Sequence, residues 1–150
     1  MIIARIRFIS EEWNACVMMI KNIQDVAERV FTDHPEVSVA YVFGSFLKSK
    51  IYHDVDIGLL LEENFTPDSL YEARLAGQFE KDLGESFDIR ILNGRSLRFL
   101  FYILQGARVV FVRDEQHRIR FEQRVLTQYM DFKPYHDLFE ERRRAQYVNR

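Results

Sequence analysis

The sequence predicts an α/β or α+β fold, with one mixed sheet of about four or five strands flanked by helices and a helical C-terminal tail. Three observations predict it. Short runs rich in β-branched and aromatic residues recur along the chain: VSVAYVF (37–43), VDIGLLL (55–61), FDIRIL (87–92) and ARVVFV (107–112). Longer stretches between them carry apolar residues at three- and four-residue steps. No internal repeat, low-complexity segment or linker rich in Pro, Gly or Ser interrupts the 150 residues. Residues 1–150 therefore read as one domain, large enough to bury a core.

Taken in order, residues 2–8 suit a short strand. Ser10 then caps a helix whose first turn holds Glu11 and Glu12, favourable near the positive helix end. Its apolar stripe is Trp13, Cys16, Val17, Ile20, Ile23, Ala27, Val30 and Phe31. Pro35 disfavours helical geometry at His34 and stops the helix there. The strand at 37–43 ends at Gly44-Ser45, and the strand at 55–61 begins just after Asp54. Thr66 caps a second helix, with Pro67 in its first position and Leu70, Ala73, Ala76, Phe79 and Leu83 as its buried stripe. After the strand at 87–92, Ser96 begins a helix through Leu104, closed by Gly106. Beyond the strand at 107–112 the chain reads as a helical extension over about 114–150, ended or kinked at Pro134. Within it Tyr129 and Phe139 are expected in the core, while Phe132 and Tyr135 stand open between core and partner surface.

Composition excludes several classes. A net charge of −2 gives no general electrostatic case for nucleic-acid binding, so direct DNA binding is not expected. A single cysteine, Cys16, excludes an internal disulfide framework and a cysteine zinc cluster, and reads as a buried helical thiol. The start MIIARIRFIS is interrupted by Arg5 and Arg7, too short and charged for a signal peptide or membrane span. The protein reads as cytoplasmic, with no membrane partner. His34, His117 and His136 lack metal-ligand spacing, and His53 reads as a solvated strand-edge residue. The run EERRRAQ (140–146) reads as the solvated end of a helix.

The chemistry concentrates in FGSFLKSKIYHDVD (43–56). Residues two apart in a strand share a face, so Asp54 and Asp56 project together while Val55 and Ile57 point into the core. Two adjacent carboxylates repel unless one takes a proton or a cation sits between them. Hard oxygen ligands on a rigid strand suit Mg²⁺. Asp88, on the strand at 87–92, can complete a three-carboxylate cluster able to hold two metal ions roughly 3.5–4 Å apart, or can accept the proton of an attacking hydroxyl. Its neighbour Arg90 shares its face and could hold it ionised or contact a phosphate. Gly44 lets the backbone approach a ligand closely, Ser45 adds a hydroxyl donor, and Lys48 and Lys50 follow within reach of a triphosphate. Singly, each feature reads more simply as a turn, a strand start or a surface acid. Their order along the chain is that of a phosphate-transfer site.

AYVFGSFLKSKIYHDVDIGLLL resembles the signature of DNA-polymerase-β-like nucleotidyltransferases, in which a Gly-Ser turn precedes Asp-x-Asp and a third acid follows. The signature region covers about 36–113, and with the tail RFEQRVLTQYMDFKPYHDLFEERR the whole looks like the minimal nucleotidyltransferase (MNT) antitoxins of the MntA type. The resemblance implies an Mg²⁺-dependent enzyme that uses ATP and transfers AMP to a tyrosine hydroxyl of a HEPN-domain ribonuclease toxin, silencing it within a hetero-oligomer. By motif it implies Gly44 and Ser45, with Lys48 and Lys50, on the triphosphate. It implies Asp54 and Asp56 on metal, and Asp88 as third ligand or base. Eight residues separate Ser45 from Asp54 where the common pattern has ten, and Leu-Lys-Ser stands where Ala-Arg-Gly is frequent. That departure favours a second reading, an antitoxin that neutralises its toxin by complex formation alone. Transfer to a small molecule is a third. Arg29 and His34 match the Arg-x₄-His spacing of HEPN ribonucleases, a match read as chance.

Overall fold

The computed structural model describes residues 2–148, with side chains described from 14 to 145. The chain opens with one helix, α1 (Ile2–Thr32), where a strand over residues 2–8 and a cap at Ser10 are expected. Nothing between residues 2 and 32 is Gly or Pro. Once the helix is nucleated, each further residue adds a hydrogen bond, and this outweighs the weak strand preference of Ile2, Ile3 and Ile6. Ile23, Val26, Ala27, Val30 and Phe31 are buried, Cys16 is half-buried and Val17 is exposed. The side chain of Trp13 lies outside the described residues. The helix stops before Pro35 as expected, with His34 N–H donating to the Phe31 carbonyl at 3.1 Å.

Four strands follow in one sheet: β1 (Val37–Phe43), β2 (Val55–Leu61), β3 (Phe87–Ile91) and β4 (Arg108–Val112). Their spatial order is β3-β2-β1-β4. β1 pairs antiparallel with both β2 and β4, and β2 pairs parallel with β3. Every residue of β1 is buried, because helices cover both faces of the sheet. One face packs Ala40, Val42, Ile57 and Leu59 under α1 and α2 (Tyr71–Leu83); the other packs Val39, Tyr41, Leu60 and Leu92 under α3 (Leu97–Leu104) and α4 (Glu115–Val148). Buried Ser38 donates its hydroxyl proton to Glu62 at 2.5 Å and sits 2.9 Å from Nδ1 of His117.

Three local expectations need correction. α2 begins at Tyr71, not near Thr66, because the Asp68 carboxylate turns the chain by accepting from Leu70 N–H at 2.9 Å and holds Arg74 at 2.9 and 2.7 Å. The buried stripe is accordingly Tyr71, Leu75 and Phe79, with Leu70 exposed. α4 continues past Pro134 rather than ending there, over an exposed stretch where solvent can take up the freed Met130 carbonyl. Phe139 is 65% exposed rather than buried, and Phe132 and Tyr135 are exposed too. At a rise of about 1.5 Å per residue α4 is about four times longer than eight-residue α3, and its second half is mostly exposed. Tyr129, expected in the core, is only half-buried, stacked on Phe101 at 3.6 Å and 8°. At α3, Ser96 caps as expected, its hydroxyl oxygen accepting from Phe99 N–H at 3.4 Å.

Candidate functional site

The strand register assembles the site. Phe43 at the end of β1 pairs with Asp56 on β2, and Asp56 pairs with Asp88 on β3. Residue 44 therefore arrives beside the two acids across three neighbouring strands. Val55 and Ile57, and Phe87 and Ile89, point into the α1/α2 layer. Asp56 and Asp88 thus stand on the other face of the sheet, at the edge of the layer that α3 and α4 cover. Gly44 has φ +81°, and a Cβ built on it would lie 2.2 Å from Oδ2 of Asp56. Only glycine lets the β1 turn come this close to the carboxylate.

The electrostatics follow from this crowding. Burial raises the Asp56 carboxyl above its ordinary value, and the nearby charges of Asp54 and Asp88 raise it further, while Arg90 opposes them. Arg90 turns to Asp88 on the same strand face, donating from Nε at 2.9 Å and Nη2 at 2.6 Å to one carboxylate oxygen. Among the described residues no three His, Cys, Asp or Glu side chains converge into a ready-made metal cage. A full cage is not what Mg²⁺ requires, since it takes one or two carboxylates and fills its shell with water and phosphate oxygens. The donor set of Asp54 and Asp56, which form no ion pair among the described residues, fits such a cation. At Asp88 a cation competes with Arg90 for Oδ2.

The connection from Ser45 to Asp54 is short but ordered. Ser45–Leu47 form one 3₁₀ turn, closed by Lys48 N–H donating to the Ser45 carbonyl at 3.0 Å. Phe46 is buried and meets Tyr52 edge-on at 5.1 Å, clipping the connection at both ends. The Ser49 hydroxyl accepts from Ile51 N–H at 3.1 Å. Ser45, Lys48 and Lys50 are all exposed. Lys48 reaches α3, its ammonium 5.0 Å from the ring centroid of Tyr102. Sequence reasoning missed Tyr102, because nothing local in LRFLFYIL ties that ring to a loop far earlier in the chain.

Other polar groups have structural partners. Arg29 pairs with Asp82 at 2.7 Å and His34 with Glu36 at 3.0 Å, so the two residues of the Arg-x₄-His match serve separate contacts. A cavity of about 520 Å³ between α3, β4 and α4 is lined by Tyr41, Glu122 and Arg118. There the Tyr41 hydroxyl donates to Glu122 at 3.0 Å, and burial, with the Glu122 charge, pushes that hydroxyl far above its ordinary range. No helix among the described residues is long and apolar enough to cross a membrane.

The family model described as polymerase beta, nucleotidyltransferase matches residues 24–116. No curated protein matches the chain. Among solved structures it is similar to a chain of the tri-AMPylated Shewanella oneidensis HEPN toxin in complex with MNT antitoxin. That likeness has 18% identity and a TM-score of 0.62, over 79% of this chain and 92% of the other. A toxin–antitoxin with AMP-PNP gives 17% identity and a TM-score of 0.64, over 79% and 95%. The toxin–antitoxin MntA–HepT gives 17% and 0.61, over 79% and 93%. At such identities these likenesses establish the fold.

Proposed function

The chain belongs to the polymerase beta nucleotidyltransferase family, and we propose that within it the protein is a cytoplasmic Mg²⁺-dependent antitoxin that transfers AMP from ATP to a tyrosine hydroxyl of a HEPN-family toxin. The observation that carries this reading is the register running from Phe43 through Asp56 to Asp88, which sets the Gly44-Ser45 turn against the acids. The likeness to chains of toxin–antitoxin complexes, one AMPylated and one with AMP-PNP, supports the choice of partner and nucleotide.

In this reading Asp54 and Asp56 would hold one or two Mg²⁺ ions, with Asp88 as a third ligand. Bound there, Mg²⁺ would neutralise triphosphate charge and polarise the phosphate under attack. Gly44 admits the triphosphate to the backbone, and the Ser45 hydroxyl with Lys48 and Lys50 donates to its oxygens. Asp88, freed from Arg90, takes the proton of the attacking tyrosine hydroxyl, while Arg90 turns to phosphate. The tyrosine oxygen bonds to the α-phosphorus as the bond to the bridging oxygen breaks, and pyrophosphate leaves.

The test combines the purified protein, a HEPN-family partner, Mg²⁺ and each nucleoside triphosphate in turn, and reads intact masses. AMP adducts on the partner with ATP, lost in Asp56→Ala, are the expected result. Undiminished transfer by Asp56→Ala would falsify the assignment. A second reading, neutralisation by complex formation alone, is favoured by the eight-residue connection and by the commitment of Asp88 to Arg90. Rescue of cells by the Asp54/Asp56 double variant would select it.

A further inference from the structure

Lys48 is exposed, yet its side chain lies along α3. Its ammonium sits 5.0 Å from the centroid of the Tyr102 ring, and its Cε lies 3.7 Å from where a Cβ on Gly106 would be. Tyr102 is 58% exposed, so the core gains little from this aromatic. Leu100 and Ile103 of the same helix pack on the sheet face that carries Asp56 and Asp88, so α3 belongs to the layer beside the acids. The lysine backbone is tied at the other end to the Gly-Ser turn by its N–H on the Ser45 carbonyl. A flexible four-carbon stem is thereby held at both ends, against the helix that packs on the sheet face carrying Asp56 and Asp88.

We propose that Tyr102 is a positioning residue for nucleotide binding: its exposed ring, with Gly106 beside the stem, holds the Lys48 ammonium over the aspartate-bearing face, ready for phosphate oxygens. The proposal rests on the reading of Lys48 as a phosphate contact. Tyr102 touches neither nucleotide nor acceptor and acts only through the lysine. The physics is a cation held against the negative face of an aromatic ring, which limits the rotamers the lysine must give up when phosphate arrives. The hydroxyl of Tyr102 takes no part.

The experiment uses the full chain with Mg²⁺ and the ATP analogue AMP-PNP, and compares Tyr102→Phe, Tyr102→Leu, Lys48→Ala and the Lys48→Ala/Tyr102→Leu double variant. Tyr102→Leu should weaken binding about 2–5-fold, the range that a cation–π contact of about 0.5–1 kcal/mol gives. Tyr102→Phe should bind within twofold of the wild type, and Tyr102→Leu should cost nothing further in the Lys48→Ala background. If transfer occurs, KM for ATP should rise with kcat unchanged. Independently, the ¹³C-methylated Lys48 resonance should show an upfield ring-current shift that Tyr102→Phe keeps and Tyr102→Leu loses. Absence of that shift in the wild type overturns the positioning role whatever the nucleotide data. Equal losses in Phe and Leu, or an undiminished loss in the Lys48→Ala background, overturn it as well. A protein that shows the shift but binds no nucleotide overturns the nucleotidyltransferase reading, and the role of Tyr102 with it.

Discussion

The Asp56 carboxylate occupies the space that a side chain at residue 44 would need, 2.2 Å from an ideal Cβ there. Gly44 also has φ +81°, which L side chains rarely adopt. Gly44→Ala should therefore cost about 1–3 kcal/mol of stability by strain alone. It should also displace Asp56 and lower Mg²⁺-nucleotide affinity. Denaturant unfolding and AMP-PNP titration of this variant check both, and a variant as stable as the wild type would show that the turn can re-form elsewhere.

Asp56 carries a pH signature. Its carboxyl lies above its ordinary value of 3.8, first through burial and then through Asp54 and Asp88. The folded state therefore binds this proton more tightly than the unfolded state. Its contribution to stability is fully present below about pH 4 and is lost as pH rises through the raised folded value. Asp56→Asn should remove that fall, so that metal-free variant and wild type diverge as pH climbs from about 4 towards 7. Added Mg²⁺ should restore the wild type and leave the variant unchanged. Unfolding curves across pH, with and without Mg²⁺, provide the comparison.

Arg90 supplies Asp88 with its nearest counter-charge, at 2.6 and 2.9 Å. Both partners are partly solvated, so the pair is worth no more than about 0.2–1 kcal/mol. Arg90→Gln should lower the melting temperature slightly in EDTA and lose that deficit when Mg²⁺ is added. Equal deficits in both conditions would mean that Arg90 has no exchange with metal at Asp88.

α4 is packed at Phe121 and Val125 and mostly exposed beyond Met130. Phe121 is buried, and truncating it to alanine should cost about 3–5 kcal/mol. Phe139 is exposed, and Phe139→Ala should change stability by less than about 0.5 kcal/mol. Chemical unfolding of the two variants decides whether the stretch beyond Met130 is as free of core contacts as its exposure indicates.

Much of this protein is written locally. The strands at 37–43 and 55–61 are legible because unbroken β-branched and aromatic runs end at Gly44 and begin after Asp54, and the structure places them with those bounds. The order Gly44-Ser45, Asp54-x-Asp56, Asp88 is likewise a property of the sequence alone, and the family match over residues 24–116 spans those positions. What remained hidden depends on competition between distant or non-local terms. Residues 2–8 join a helix because extending α1 is favourable, and Asp68 delays α2 because its side chain bonds the turn first. Phe139 has a core residue's chemistry, yet it lies exposed on α4 and belongs to neither core cluster. The sequence determined which groups could do phosphate chemistry. Only the tertiary structure, through strand register and the packing of α3 beside it, decided that Gly44 meets Asp56, that Arg90 holds Asp88, and that Lys48 rests on Tyr102.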